Sequence, residues 1–148
     1  MGEILVFKTS AVAVGVFEGE RRQDGQMMST IAAVHEYGSP KRKVPQRSFL
    51  RSWATGHAQE IQEAIAREYK QVGIGQFTAE MALKRLGEYG QAGVRGRIRE
   101  MKTPALSDVT IQRKKSSALL IDTGQLINTI RYRILRGLSL IRATRTRV

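Results

Sequence analysis

HEYGSPKRKVPQRSFLRS, residues 35–52, holds three consecutive cations, Lys41, Arg42 and Lys43, between a Gly-Ser-Pro turn signal and a second proline. Each proline lacks an amide donor and disfavours helix in the residue before it, so Ser39 to Pro45 is expected to be irregular. Upstream, MMSTIAAVHEYG sets Met28, Ile31, Val34 and His35 at helical spacing, with Gly38 where a left-handed residue would end a short helix; a strand is the alternative. Downstream, from about Arg47 to Val72, Leu50, Ala54, Ala58, Ile61, Ile65, Tyr69 and Val72 recur every three or four residues, and Glu60, Glu63, Arg67 and Glu68 occupy the rest. That pattern predicts one long amphipathic helix. The stretch is therefore a connection between two helices, and its cations pose three uses: a nucleic-acid clamp, a catalytic loop, or a strap that fixes two elements and touches a neighbour.

Further out, EILVFK and AVAVGVFE are short runs rich in Val, Ile and Phe, separated by Thr9 and Ser10, and read as a strand pair. GERRQDGQ interrupts as a polar loop. After the breaker GIGQ a second helical pattern begins at Phe77 and continues through Met81, Leu86, Tyr89 and Val94. Gly87, Gly90, Gly93 and Gly96 fall every third residue within it, each costing about 1 kcal/mol against alanine. Such a ladder fits either a smooth ridge for close helix approach or a loose helix that orders on assembly. REMKTPALSDVTIQRKKSSA reads as a long connection, about 102–120, expected to be mobile in the free chain. Thr129 to Leu135 alternates, with Ile130, Tyr132 and Ile134 on one side and Arg131 and Arg133 on the other, as a half-buried strand does. LSLIRATR is its candidate partner across a turn at Arg136 and Gly137. That hairpin would set Arg131 opposite Arg142, a destabilising pairing unless an anion lies beside it. The whole reads as a single α+β domain, 1–148, with a small antiparallel sheet from N- and C-terminal strands packed with two central helices.

A chain of 148 residues, 41% apolar, supports one modest core. No run approaches the roughly 18 to 20 apolar residues of a membrane span, and MGEILVFK carries Glu3 where a signal peptide would be basic, so a soluble protein with no membrane partner is expected. The absence of cysteine excludes disulfides, thiol catalysis and thiolate metal sites. The net charge of +12 calls for an anionic partner, because such an excess repels itself. Residues 102–148 hold ten Lys and Arg against Asp108 and Asp122 alone, so the excess is mainly C-terminal. A solvated basic surface without a ligand is the plain alternative.

Catalytic readings fare poorly. Asp122-Thr123-Gly124 after ALLI has the local look of an aspartic protease half-site. Only 24 residues follow Gly124, too few for the flap and the further buried strands such a site needs. The simpler reading is a capped turn, Asp122 or Thr123 accepting an amide as Gln125, Leu126 and Ile127 begin to wind. His35-Glu36 lacks a second histidine one turn on, since position 39 is serine, and His57 is the only other histidine. No phosphate-binding glycine loop or nucleophile elbow occurs. A non-enzymatic protein with no cofactor and no metal is the expectation.

Two segments, IAAVHEYGSPKRKVPQRSFLRSW and LLIDTGQLINTIRYRI, resemble the bacteriophage neck proteins known as head-tail joining, tail-completion or virion morphogenesis proteins. The first is similar to that family's helix ending in His-Glu-aromatic-Gly, followed by a loop and Pro-x-Arg-x-Phe-Leu leading into a long helix. The second is similar to its Asp-Thr-Gly-x-Leu turn entering a late strand. Together they cover roughly 40 of 148 residues. The resemblance implies that Pro45, Arg47, Phe49 and Leu50 dock the loop and start the helix, that His35, Glu36, Tyr37 and Gly38 close the preceding element, and that Asp122, Thr123, Gly124 and Leu126 form the turn. Gln46 and Ser48 stand where the family pattern has a small residue and often proline.

It further implies a virion structural protein, assembled in the host cytoplasm as a ring of six or twelve copies between the portal-connector assembly and the tail. Its partners would be other neck, connector and tail proteins, with duplex DNA in the channel held without sequence reading. The residues expected to face DNA or an acidic partner are Lys41, Arg42, Lys43, Arg113, Lys114, Lys115, Arg131, Arg133 and Arg142. A stand-alone, sequence-nonspecific DNA-binding protein is the alternative.

Overall fold

The computed structural model describes residues 2–21, 25–42, 44–101 and 125–137. Among them the elements run α1 (Glu3–Lys8), β1 (Ser10–Gly15), α2 (Met28–Tyr37), a 3₁₀ turn (Pro40–Arg42), α3 (Leu50–Gly56), α4 (Ala58–Gly73), α5 (Ala79–Glu100), α6 (Gln125–Thr129) and β2 (Arg131–Arg136). β1 and β2 pair in a two-stranded antiparallel sheet, so the fold is α+β. The chain divides into two compact units, one from Met1–Val14, His57–Gln91 and Tyr132–Val148, the other from Gly15–Gly56 and Ala92–Arg131.

In the first unit Phe7, Val72, Ala79, Ala82 and Leu83 form a buried core, with Ile4, Val6, Val12, Leu86 and Ile134 packed against it. EILVFK is helical, not the strand expected. The Val, Ile and Phe content favours a strand, but tertiary contacts reward a helix here. In helical form Glu3 accepts the Ala79 amide at 2.7 Å and so caps α5, Ile4 lies against Gly73, and Phe7 enters the core. Thr78 adds a second cap, accepting the Met81 amide at 3.2 Å. AVAVG is the expected strand, and the Gly137 amide donates to the Thr9 carbonyl where β2 ends beside its start.

The single helix expected from Arg47 to Val72 is two helices. Gly56, a weak helix former, and His57, at φ −119° and ψ 25°, break it. The inward face of α4 also differs from the apolar stripe in the sequence. Ala64, Glu68 and Val72 are buried, whereas Ile65 and Tyr69 are 44% and 37% exposed. Glu68, expected on the polar face, is turned inward because both its oxygens accept from Arg85 Nε on α5, each at 3.1 Å. Arg85 in turn lies 5.0 Å from the centre of the Phe77 ring.

Helix α5 is continuous through all four glycines. In the first unit a Cβ on Gly87 would collide with the Tyr132 ring, and in the second a Cβ on Gly93 would collide with the Trp53 indole. Those two glycines make room for aromatic side chains, a use weighed by neither reading of the ladder. Met81 and Tyr89, read as part of the periodic face, are exposed instead.

The second unit buries Met28, Ala32, Phe49, Trp53, Val94, Ile98, Met101, Leu126, Ile127 and Ile130. α2 presents Met28, Ala32 and Glu36 inward, one residue round from the face expected, while Ile31, Val34 and His35 are half-buried. α6 begins to wind at Gln125 as expected, with Thr129 Oγ1 donating back to the Leu126 carbonyl at 2.8 Å. In β2 Arg131 and Arg133 are exposed and Tyr132 and Ile134 half-buried, matching the alternation read from the sequence. The connection at 102–120 and the LSLIRATR partner strand lie outside the described residues.

Candidate functional site

The loop between α2 and α3 is built around one carboxylate. Glu36, on the last turn of α2, is 4% exposed and accepts four hydrogen bonds. Ser48 Oγ donates to Oε1 at 2.6 Å and the Arg51 amide to the same oxygen at 3.1 Å; the amides of Phe49 and Leu50 donate to Oε2 at 2.8 and 3.0 Å. α3 starts at Leu50, so these are the first amides of a helix, which have no partner within it. A carboxylate there is favoured by the helix dipole and by charge-assisted bonding. Burial pushes the Glu36 carboxyl up, but the Ser48 hydroxyl and the three amides outweigh it and hold the group below the ordinary carboxylate range. Four donors fill its four lone-pair sites, leaving no place for a metal or a proton-transfer role.

The rest of the loop is pinned in the same way. Gly38 leaves α2 at φ 76°, and a Cβ there would sit 3.0 Å from the Gln46 amide nitrogen. The Arg47 amide donates to the His35 carbonyl at 2.7 Å and Gln46 Nε2 to the Glu36 carbonyl at 3.2 Å. Ser39 and Val44 exchange two backbone bonds of 2.8 and 3.0 Å across the Pro40–Arg42 turn, so the segment expected to be irregular is a short antiparallel loop closed at its neck. Gln46 and Ser48, the two departures from the family pattern, both donate to Glu36.

Phe49 is fully buried, Leu50 half-buried and Arg47 buried, while Pro45 and Tyr37 are exposed. The Arg51 guanidinium lies 5.6 Å from the centre of the Tyr37 ring. Lys41 is exposed at the tip; Arg42 shares its turn, and Lys43 is outside the described residues. Arg113, Lys114, Lys115, Asp122, Thr123, Gly124 and Arg142 also lie outside them, whereas Leu126 is buried in α6. His35, Glu36, Gly38, Arg47, Phe49 and Leu50 thus converge on one loop. Arg131 belongs to another group, beside Arg95 of α5, which sequence reading missed; the VRGRIR run from Val94 to Arg99 was the available signal.

A second surface lies in the first unit. Phe7, Lys8, Gln62, Ile65, Ala66 and Tyr69 line a shallow depression, with the Phe7 and Tyr69 rings 6.0 Å apart and Lys8 Nζ 5.7 Å from the Tyr69 ring centre. Leu5, also exposed, belongs to the same helix as Phe7.

No protein-family model, no curated protein and no solved structure matches this chain.

Proposed function

We propose that this chain is a structural protein of the bacteriophage neck, a ring-forming head-tail connector or tail-completion subunit that joins the head to the tail around the DNA channel. The observation that carries the reading is the pinned loop of residues 38–48. Its ends are held by a buried carboxylate, and its turn presents Lys41 to solvent, so the loop is rigid without contributing its tip to the core. That is what a strap reaching a neighbouring copy requires, since little ordering entropy is left to lose on docking. The likeness of residues 31–53 and 119–134 to the neck proteins points the same way, as does an apolar surface at Ile65 and Tyr69 left uncovered on α4. A closed ring needs two different faces per subunit. A net charge of +12 per copy, repeated around a ring, suits a passage for a polyanion.

Native mass spectrometry and light scattering on the purified chain, alone and with connector and tail proteins, test this. A ring of six or twelve copies, or a monomer that assembles on its partners, is expected. Permanent solitude under all these conditions overturns it; a salt-sensitive shift of bare duplex DNA without assembly would then favour the stand-alone DNA-binding protein.

A further inference from the structure

Two arginines approach one backbone oxygen. Arg95 Nη2 donates to the Ile130 carbonyl at 2.9 Å, and Arg131 Nη1 reaches the same oxygen at 3.4 Å, which sets the two guanidiniums side by side. Arg99 follows Arg95 by four residues on α5, hence on the same helix face and about 6 Å further along the axis. The backbone beneath all three is held by burial, because Val94, Ile98 and Ile130, their immediate neighbours in sequence, are each 1% exposed or less. Arg99 and Arg131 are exposed and Arg95 is half-buried, its Nε without a hydrogen-bond partner.

Among the described residues no ion pair joins Arg95, Arg99 or Arg131 to a carboxylate; the pairs that Glu68 and Glu80 make lie in the other unit. Burial pushes the Arg95 guanidinium down from its ordinary range, and the charges of Arg131 and then Arg99 push it the same way. Three like charges kept together without a counter-charge destabilise the free protein and attract an anion. Planar guanidinium forks match phosphate oxygens, as they do carboxylate oxygens, in bidentate geometry.

We propose that Arg95, Arg99 and Arg131 form a binding site for the phosphodiester backbone of nucleic acid, Arg99 and Arg131 contacting phosphates and Arg95 fixing, through its bond to the Ile130 carbonyl, the backbone from which Arg131 extends. The choice of DNA as partner rests on the neck reading, whereas the three-arginine geometry does not depend on assembly. Phosphate contacts of this kind carry no base information, so the site holds DNA of any sequence.

The test is binding of a short labelled duplex of mixed sequence to the full chain, between about 50 and 200 mM salt. Arg99→Gln/Arg131→Gln should weaken binding roughly tenfold at the low end and flatten the slope of log affinity against log salt by about 2. Arg67→Gln/Lys70→Gln, an equal loss of charge from exposed positions on α4, should leave both nearly unchanged. Equal effects from the two pairs overturn the site, as does an unchanged slope in the first. Polyglutamate bound as tightly as the duplex, and lost in the same variant, also overturns it by assigning an acidic protein. In the unaltered chain, duplex should shift the amide resonances of Arg99 and Arg131, a readout independent of any variant; their silence at saturation counts against the site. Light scattering on the same samples separates the two proposals: arginine-dependent binding by a chain that never assembles keeps the site and removes the neck role, and a ring with arginine-independent binding does the reverse.

Discussion

Glu36 shows how a single residue can set the conformation of a loop twelve residues long. Its carboxylate stands in for the local cap that α3 lacks, receiving Ser48 Oγ and the amides of Phe49, Leu50 and Arg51. Glu36→Gln keeps the shape but turns one acceptor into an NH₂ facing donors, so a loss of about 1–3 kcal/mol is expected in urea or thermal unfolding. The pH dependence has a definite sign. Because the folded-state value lies below the ordinary 4.5, the stability this carboxylate contributes is fully present above 4.5 and is lost as pH falls through the depressed value. Melting temperature measured from pH 6 down to about pH 3 should fall less steeply in Glu36→Gln than in the parent chain. Equal slopes would assign the acid sensitivity to other groups. Nothing local in His35-Glu36-Tyr37 signals this role, since its partners lie 12 to 15 residues away and become neighbours only when the loop closes. The turn itself was legible from Gly38 and the two prolines, whose backbone limits act within one or two residues.

At the scale of elements, α5 separates the effects of helix propensity and packing. Alanine is worth about 1 kcal/mol over glycine in a helix interior. Gly96 has nothing within 4 Å of its would-be Cβ, so Gly96→Ala should stabilise by about that amount. At Gly87 and Gly93 the new methyl would meet the rings of Tyr132 and Trp53, and overpacking of about 1–3 kcal/mol reverses the sign. Thermal melts of the three single variants check this directly: one rises, two fall. The helix was readable from its period, and so was β2 from its alternation. The reason for the glycines was not, because Trp53 and Tyr132 are brought to them from distant sequence. The same limit explains α1, whose strand-like composition is overruled by Glu3 reaching Ala79, 76 residues on.

For the molecule as a whole, the uncovered apolar residues of α4 matter as much as the charge. Ile65 and Tyr69 continue the stripe that the sequence offers as a core face, yet the space beneath α4 is taken by Ala64, Glu68 and Val72. Ile65→Ser should therefore change the stability of the isolated chain by only about 0.5 kcal/mol, as surface substitutions do, whereas Tyr69→Ser also loses the Phe7 and Lys8 contacts and should cost about 1–2 kcal/mol. Assembly measured by native mass spectrometry should fall at least about tenfold if that face meets a neighbouring copy, because buried aromatic anchors dominate interface energy. Unaltered assembly would move the subunit contact elsewhere.

The amino-acid sequence by itself determined the cationic excess, the absence of thiol chemistry, the α+β class, the turn at Gly38 and the periodic stretches. All of these depend on composition or on residues a few positions apart. Tertiary structure alone decided that an acid would be the buried staple of the loop, that aromatic rings would fill the glycine gaps, and that Arg95 would meet Arg131. Each depends on groups many residues apart whose desolvation, close packing or repulsion comes into force only once the chain has closed around them.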